Sequence, residues 1–279
     1  MSSVPHTGMN PDVAVPEPSP FALKQCCAAV YDNDAAKLLL GDSFHPGGAK
    51  LTERLGEILG LTPRSRVLDV AAGKGTSAFL LAKRFGCEIV GVDYSRRNVE
   101  EAETAATANG LSHKVSFQWA DAEQLPFPND SFDAIICECA FCTFPNKRAA
   151  AHEFMRVVRP GGEVGLSDLT REGALVSELD GLLAWIACIA DAQPPSAYVA
   201  LLSAANLKIR VAEAHNNVLT EFVNQIRTRL LAAEVMVGLR KLILPGFDFE
   251  AAKAIAKYAL EAIRESKLGY AIVVATKAP

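Results

Sequence analysis

Three cysteines lie close together in the stretch Cys137-Glu138-Cys139-Ala140-Phe141-Cys142. Thiolates are soft donors that suit zinc or a thiophilic metalloid. A zinc site is disfavoured because the spacing Cys137-x-Cys139-x-x-Cys142 lacks the usual paired Cys-x-x-Cys motif. The chain has 7 cysteines in all and no secretory signal. An odd count of this kind predicts reduced thiols and a cytoplasmic protein, and an isolated residue such as Cys87 is interpreted as a buried hydrophobe.

A second group of chemically useful residues consists of the acids Asp69, Asp93 and Asp121, each of which follows an apolar run. Asp69 precedes the small-residue loop Ala71-Ala72-Gly73-Lys74-Gly75, where the backbone can approach a ligand closely. A carboxylate can accept both hydrogens of a vicinal diol. The loop lacks the third glycine of a dinucleotide fingerprint and the Gly-Lys-Ser/Thr ending of a phosphate loop.

These residues need elements that bring them together, and the hydrophobic pattern supplies them. Buried apolar runs alternate five times with segments of helical spacing, which predicts an open, doubly wound α/β sheet that binds its ligand at the carboxyl edge of the strands. The expected strands cover residues 67–70, 88–93, 115–119, 132–137 and 163–167, and the expected helices 76–85, 96–109 and 146–158, the second capped by Ser95.

The remaining segments divide the chain. Residues 1–20 are rich in Pro, Ser and Asn and are expected to form a disordered tail. Residues 21–62 are predicted to form an N-terminal helical cap, and 63–279 the main domain. This domain is expected to be mostly helical over 172–205, with strands over 207–212 and 270–275 and a helical insertion at about 217–266. Its insertion carries an apolar stripe of spacing suited to one buried face: Leu230, Leu231, Val235, Leu239 and Leu242.

Composition excludes some partners. The net charge of −4 argues against a nucleic-acid substrate held in a basic groove. No apolar run approaches the roughly 20 residues needed to span a bilayer. The sequence therefore favours a small-molecule or metalloid substrate, without nucleic acid or membrane, and leaves a homodimer open.

With Asp69 ahead of it, the loop resembles motif I of class I S-adenosylmethionine-dependent methyltransferases. Asp93, the segment 121–133 and the turn 156–162 extend this resemblance in order and spacing over residues 63–168. It implies a Rossmann-like seven-stranded sheet and S-adenosyl-L-methionine as cofactor. Ala71 replaces a common glycine, which alanine can do if its φ is negative. The implied cofactor-binding residues are Asp69, Ala71, Gly73, Gly75, Thr76, Asp93, Tyr94, Asn98, Asp121, Ala122, Glu123 and Glu138.

The thiols resemble those of a narrower family, the arsenite methyltransferases, in the segment 138–147. Cys139 falls on a family arsenic ligand, Cys188 lies where the family has a second core thiol, and Cys26 and Cys27 match a paired cysteine near the N-terminus. The resemblance implies that Cys139, Cys188 and Cys27 bind and activate trivalent arsenic, whose lone pair could attack a methyl group without a base. Glu138 departs from the family's asparagine.

Two alternatives stay open. The segment 121–132 also resembles quinone- and sterol-type methyltransferases, in which case the cysteines are structural and the helices over 172–205 and 217–266 cover a hydrophobic organic acceptor. The other alternative is a non-catalytic metalloid-binding protein. His45, His152 and His215 form no recognisable dyad in the sequence and are interpreted as surface or loop residues.

Overall fold

The computed structural model describes residues 45–175, 189 and 191–279, which form a single mixed sheet flanked by helices. The elements, in chain order, are α1 (Gly48–Ile58), β1 (Arg66–Val70), α2 (Thr76–Phe85), β2 (Glu88–Asp93), α3 (Arg96–Ala108), β3 (Val115–Trp119), β4 (Phe132–Glu138), a 3-10 turn (Phe141–Thr143), α4 (Lys147–Val157), β5 (Val158–Arg171), α5 (Pro195–Ala204), β6 (Leu207–Ala214), α6 (Asn216–Gly238), α7 (Phe249–Arg264) and β7 (Leu268–Lys277).

The sheet has 7 strands in the order β3-β2-β1-β4-β5-β7-β6. The first five are parallel, whereas β7 runs antiparallel to both β5 and β6. The strand order reverses between β1 and β4, where Val70 pairs with Cys137. Ligands of open α/β sheets bind at such a reversal, beyond the carboxyl ends of the strands.

The central strands form the core. Val67 and Leu68 in β1 and Ile135 and Ile136 in β4 are each 0% exposed. Parallel strands are covered on both faces, so they are built from continuous apolar runs instead of alternating ones. This is why the pattern of the sequence predicts these strands well.

Local signals set the ends of the helices beside the loop. α2 begins after Gly75 and ends before Gly86, and both glycines have positive φ (80° and 73°). α3 begins at the cap Ser95, whose Oγ accepts a hydrogen bond of 3.1 Å from the Asn98 backbone N–H. Each signal is readable in the sequence.

The Rossmann-like seven-stranded fold is confirmed, including two helices, α6 and α7, inserted between β6 and β7. β5 is longer than expected at both ends. Val158, predicted as the end of a helix, already pairs with Phe132 before a register shift, and the strand continues past residue 167 to Arg171. The predicted tail 1–20, residues 21–44 of the predicted N-terminal cap and part of the helical segment 172–205 lie outside the described residues.

The apolar stripe on α6 is not the buried face that its spacing predicts. Leu230 is 1% exposed, but Leu231, Val235 and Leu239 are 54%, 60% and 61% exposed. α6 rests mainly on α7 and β7, and these cover only the face that carries residues such as Leu219, Val223 and Leu230. None of the described helices is both long and apolar enough to cross a membrane.

Candidate active site

One pocket lies at the carboxyl ends of β1, β2 and β4, at the reversal of strand order. Its wall contains eleven of the twelve residues predicted to bind a cofactor. These are Asp69, Ala71, Gly73, Thr76, Asp93, Tyr94, Asn98, Asp121, Ala122, Glu123 and Glu138.

The loop between β1 and α2 is held by two hydrogen bonds to the end of β2 and by one bond within the loop. The Ala72 N–H donates to the Val92 carbonyl (2.9 Å), the Gly75 N–H donates to the Ala72 carbonyl (2.9 Å), and the Gly73 N–H donates to Asp93 Oδ2 (2.8 Å). The last bond makes the Asp93 carboxylate part of the loop's support. These bonds fix the backbone of the loop where it lines the pocket.

Two residues of this loop depart from expectation. Ala71 has φ of 59°, in the left-handed region, so the negative φ that would suit alanine is not what the structure has. Such a backbone costs a non-glycine residue about 1–2 kcal/mol. Gly75 does not line the pocket: a Cβ there would lie 2.9 Å from Cε1 of Phe117, so this glycine serves packing and the turn, and the pocket gives no support to the ligand contact predicted for it.

The Asp93 carboxylate is fixed at the end of β2. Its Oδ1 accepts from the Ser95 N–H (2.8 Å) and from Asn98 Nδ2 (3.3 Å), and its Oδ2 accepts from the Gly73 N–H. Several donors around one carboxylate hold its orientation. The Asp93 carboxylate is therefore held in one orientation at the pocket wall.

Asp69 is the most unusual group in the pocket wall. The residue is 2% exposed, and its Oδ2 has no hydrogen-bond partner among the described residues. Burial, and secondarily the charges of Glu138 and Asp93, raise the pKa of the Asp69 carboxyl well above its ordinary value. A buried, incompletely satisfied carboxylate of this kind is suited to a positively charged or hydrogen-donating ligand.

Glu138, at the end of β4, joins residues from distant parts of the chain. Its Oε2 accepts from Ser77 Oγ (2.6 Å) and Thr52 Oγ1 (3.0 Å), and its Oε1 accepts from Ser167 Oγ (3.1 Å). These neutral donors hold the carboxylate in place where it borders the pocket.

His45 lies in the loop before α1, as expected, but it is not a surface residue. The residue is 9% exposed and lines the pocket, with Nε2 3.8 Å from Glu138 Oε2. It precedes α1, whose buried Thr52 contacts the ring (Oγ1 to Nε2, 3.3 Å). His152 is exposed on α4, and His215 pairs with Glu213 (3.2 Å) outside the pocket wall.

The three clustered thiols have different surroundings. Cys139 is partly exposed, lines the pocket and has φ of 51°, and its N–H donates to the Ser167 carbonyl (2.7 Å). Cys137 and Cys142 are each 0% exposed within the core. Burial, followed by the charges of Asp168, Asp69 and Glu138, raises the pKa of the Cys137 thiol well above its ordinary value, which makes this thiol a poor ligand.

The other predicted metalloid ligands, Cys27 and Cys188, lie outside the described residues, as does Cys26. Within residues 45–175, 189 and 191–279, no three His, Cys, Asp or Glu side chains are placed to hold a metal ion. Of the predicted set, Cys139 is thus the thiol that the structure places at the pocket.

The far end of the pocket is formed by the segment after β3. Asp121 Oδ1 accepts from the Glu123 N–H (3.0 Å), and Glu123 Oε1 accepts from the Asn146 N–H (2.7 Å). Trp119 Nε1 donates to the Tyr94 carbonyl (2.9 Å), and the two rings lie 5.8 Å apart. Polar backbone groups, carboxylates and an aromatic face suit a planar heterocycle attached to a sugar.

Residues 67–162 match the family described as a methyltransferase domain. The chain is 36% identical to methyltransferase GfsG of Streptomyces halstedii over 134 residues. This alignment covers 48% of each of the two proteins. It is 33% identical over 119 residues to 27-O-demethylrifamycin SV methyltransferase of Amycolatopsis mediterranei, 43% of this chain and 44% of that one. The chain spans about half the length of the curated relatives it matches.

Solved structures extend the likeness to nearly the whole fold. The cyclase SpnF superposes with a TM-score of 0.75 at 25% identity, over 95% of this chain and 99% of that one. Geranyl diphosphate methyltransferase in complex with S-adenosylmethionine gives a TM-score of 0.68 at 17% identity, over 82% and 85% of the two chains.

The family match covers the strands, the loop and the acids that build the pocket, and the fold agrees along the rest of the described chain. Residues 67–162 therefore match a methyltransferase domain, and the described chain has the fold of a solved methyltransferase that binds S-adenosylmethionine.

Proposed function

We propose that this protein transfers a methyl group from S-adenosylmethionine to a small organic acceptor. The observation that carries the proposal is the composition of the one pocket described above. Its acids from three neighbouring strand ends adjoin a second region containing His45, Cys139 and the apolar side chains of Phe144 and Pro145. A donor and an acceptor could thus meet in a single enclosed space.

The residues present fit the cofactor. The unpartnered, buried Oδ2 of Asp69 is suited to its positively charged amino-acid and sulfonium region. A Cβ built on Gly73 would meet nothing within 4 Å, so the loop leaves open space beside it. Asp93 and Asp121 offer oxygens, held by backbone donors, to hydroxyl and amino groups.

When bound, the cofactor supplies a methyl group on a sulfonium, which is already a good electrophile. The chain's own residues then have two tasks. Asp69 and Asp93 hold the donor in a fixed orientation, and the apolar wall of Ala140, Phe144 and Pro145 places the acceptor in line. Positioning of this kind supplies much of the acceleration in such a transfer.

The organic acceptor is supported by the pocket lining and by the relatives. Ala140, Phe144 and Pro145 form an apolar wall next to the polar groups, the usual make-up of a small-molecule site. The relative from Amycolatopsis mediterranei carries the name of a natural-product O-methyltransferase. An acceptor with a hydrophobic skeleton matches both.

A thiol-bound arsenic acceptor is the second candidate, and the position of Cys139 in the pocket wall favours it. Under this proposal Cys27 and Cys188 would provide the further thiolates. A third candidate binds the cofactor without methyl transfer, and the similarity to a cyclase shows that this fold is used for other reactions.

The test combines two acceptor classes with one substitution. The protein is incubated with S-adenosylmethionine and either arsenite with glutathione or a panel of hydroxylated aromatic and polycyclic compounds, and the products are read by mass spectrometry. We expect methylation of a panel member and activity within a few-fold of wild type for Cys139→Ser. Methylated arsenic that disappears in Cys139→Ser would instead establish the metalloid acceptor, and cofactor binding without any methyl transfer would contradict the enzymatic proposal.

A further inference from the structure

His45 stands apart from the residues that build the cofactor end of the pocket. It precedes α1 in the chain and reaches the pocket from outside the strand ends that supply Asp69, Asp93 and Glu138. Its ring is almost completely buried, yet it lines the pocket, with Nε2 3.8 Å from Oε2 of Glu138, which also lines it. Holding a buried imidazole there requires specific partners.

The first partner determines which nitrogen of the neutral ring carries the proton. Nδ1 lies 3.2 Å from the Pro46 carbonyl oxygen. A carbonyl oxygen can only accept, so this contact requires the proton to be on Nδ1. Nε2 therefore carries the free lone pair in the neutral ring.

The second group of partners surrounds Nε2. Thr52 Oγ1 lies 3.3 Å away and Glu138 Oε2 lies 3.8 Å away. In the neutral ring the Thr52 hydroxyl can donate its proton to Nε2. Once Nε2 is protonated, the hydroxyl donates to Glu138 Oε2 (3.0 Å) and its oxygen accepts from Nε2. If Nε2 gains a proton, an oxygen lone pair and a carboxylate are both at hand to stabilise the resulting imidazolium.

The surrounding charges are consistent with this role. Glu138 is the carboxylate nearest the ring, and Asp69 and Cys139 are the other titratable groups at this end of the pocket wall. Among the described residues, Lys74 is the lysine in the pocket wall, and it pairs with Glu101 on α3. Lys147 lies outside the wall, where its Nζ donates to the Phe144 carbonyl (3.0 Å) and pairs with Asp191. An acquired positive charge on the ring would thus face acidic groups.

We propose that His45 is the general base of the reaction, and that the acceptor is a hydroxyl compound. The acceptor oxygen gives its proton to Nε2 and its electron pair to the new bond with the methyl carbon. The electron pair of the breaking carbon–sulfur bond stays on the donor's sulfur, and the proton on Nε2 is later released to solvent. Thr52 and Glu138 are positioning residues, because they act through the imidazole.

This inference rests on the proposed methyl transfer and narrows its substrate class. An alcohol or phenol is largely protonated near neutral pH, so its oxygen benefits from a base during attack. Arsenic(III) already has a lone pair and needs none. The presence of a buried base therefore favours a hydroxyl acceptor over a metalloid.

A first measurement needs no acceptor. ¹⁵N-edited NMR of the full chain with bound S-adenosylhomocysteine reports the tautomer of His45, which is assigned by comparison with His45→Ala. We expect the Nδ1–H form, and an Nε2–H form would overturn the proposal. His215→Asn is the matched control, since His215 also contacts a carboxylate but lies outside the pocket wall. A lack of S-adenosylhomocysteine binding, measured by calorimetry, would count against the proposed function and not against the tautomer.

The second measurement uses the hydroxyl acceptor that the panel assay identifies. Loss of a general base lowers rate by roughly 10²–10⁴-fold, so we expect kcat of His45→Ala to fall by about that factor while the S-adenosylhomocysteine Kd stays within a few-fold. Imidazole added to His45→Ala should restore part of the rate, which a purely structural role would not do. Unchanged kcat in His45→Ala, or methylation of arsenite alone, would overturn the assignment.

Discussion

At the scale of single residues, the Asp69 carboxyl group carries the strongest electrostatic constraint in the pocket. A folded-state pKa raised above the ordinary value of 3.8 means that the native protein keeps a proton which the unfolded chain has already lost. The free energy of unfolding contributed by this group therefore falls as pH rises from about that value through the raised pKa. In the ligand-free protein, burial of Asp69 therefore lowers the free energy of unfolding at neutral pH. Under the proposed function, the bound cofactor would supply the missing partner of Oδ2.

Asp69→Asn separates the effect of this carboxyl group on stability from its effect on cofactor binding. We expect the ligand-free variant to lose less stability than wild type as the pH rises above about 4, because the amide does not ionise. The same substitution should weaken S-adenosylmethionine binding by about ten- to hundredfold, since a charged hydrogen bond contributes about 1.5–3 kcal/mol. Urea unfolding across pH and calorimetric titration check both. Equal pH slopes for the two proteins would contradict the assignment of this pKa shift to Asp69.

Ala71 provides a second prediction at this scale, because its φ of 59° strains a residue that has a Cβ. Ala71→Gly relieves about 1–2 kcal/mol of strain but gives the unfolded chain more freedom. We expect the free energy of unfolding to stay level or rise by up to about 1 kcal/mol. Ala72→Gly, at a neighbouring residue without positive φ, should lose about 0.5–1 kcal/mol. Urea unfolding compares them, and equal losses in both would refute the strain.

At the scale of elements, the packing of β2 against β3 fixes the wall behind the pocket loop. A Cβ built on Gly91 would lie 2.5 Å from Cε1 of Phe117 and 3.0 Å from the Cβ of Ala72. We expect Gly91→Ala to lower the free energy of unfolding by about 1–3 kcal/mol through overpacking. Gly238→Ala, where a Cβ meets nothing within 4 Å, is the control and should be neutral or slightly stabilising.

A double-mutant cycle makes this prediction specific. Phe117→Leu removes ring atoms that the new methyl group would meet, so the combination with Gly91→Ala should be less destabilising than the sum of the two changes. If the losses in free energy of unfolding were additive, the destabilisation by Gly91→Ala would not come from contact with the Phe117 ring.

The stripe on α6 gives the second prediction for an element. Leu230 and Leu231 are adjacent in the sequence, but the first is buried in the core and the second is about half exposed to solvent. Leu230→Ala should cost about 2–5 kcal/mol, whereas Leu231→Gln should stay within about 0.5 kcal/mol of wild type. Thermal and urea unfolding measure both, and a large loss in Leu231→Gln would mean that a partner covers this face.

At the scale of the whole molecule, the parts of the site that follow from local sequence were predictable. The strand–loop–helix unit around Asp69 and the capped start of α3 behind Asp93 depend on neighbouring residues, and both were predicted. The burial of Cys137 and Cys142 depends on how the strand end and the following 3-10 turn face the core, which a cysteine count does not show.

His45 was missed for a related reason. Its partner Glu138 is far away in the sequence, and the two meet because α1 packs against α2 and β5. The signal available was weak: a histidine followed by Pro46 and Gly47 just before a helix that carries Thr52 toward the same side. The conformation of Ala71 likewise depends on the tertiary path of the loop and not on its composition.

The central claim is that the pocket at the carboxyl ends of β1, β2 and β4 binds S-adenosylmethionine. Calorimetric titration of the full chain with this compound, and separately with NAD, tests it most directly. We predict one S-adenosylmethionine bound per chain and no heat with NAD, because the loop lacks the third glycine of a dinucleotide site. Absence of S-adenosylmethionine binding by folded protein, or tighter binding of NAD, would contradict the claim.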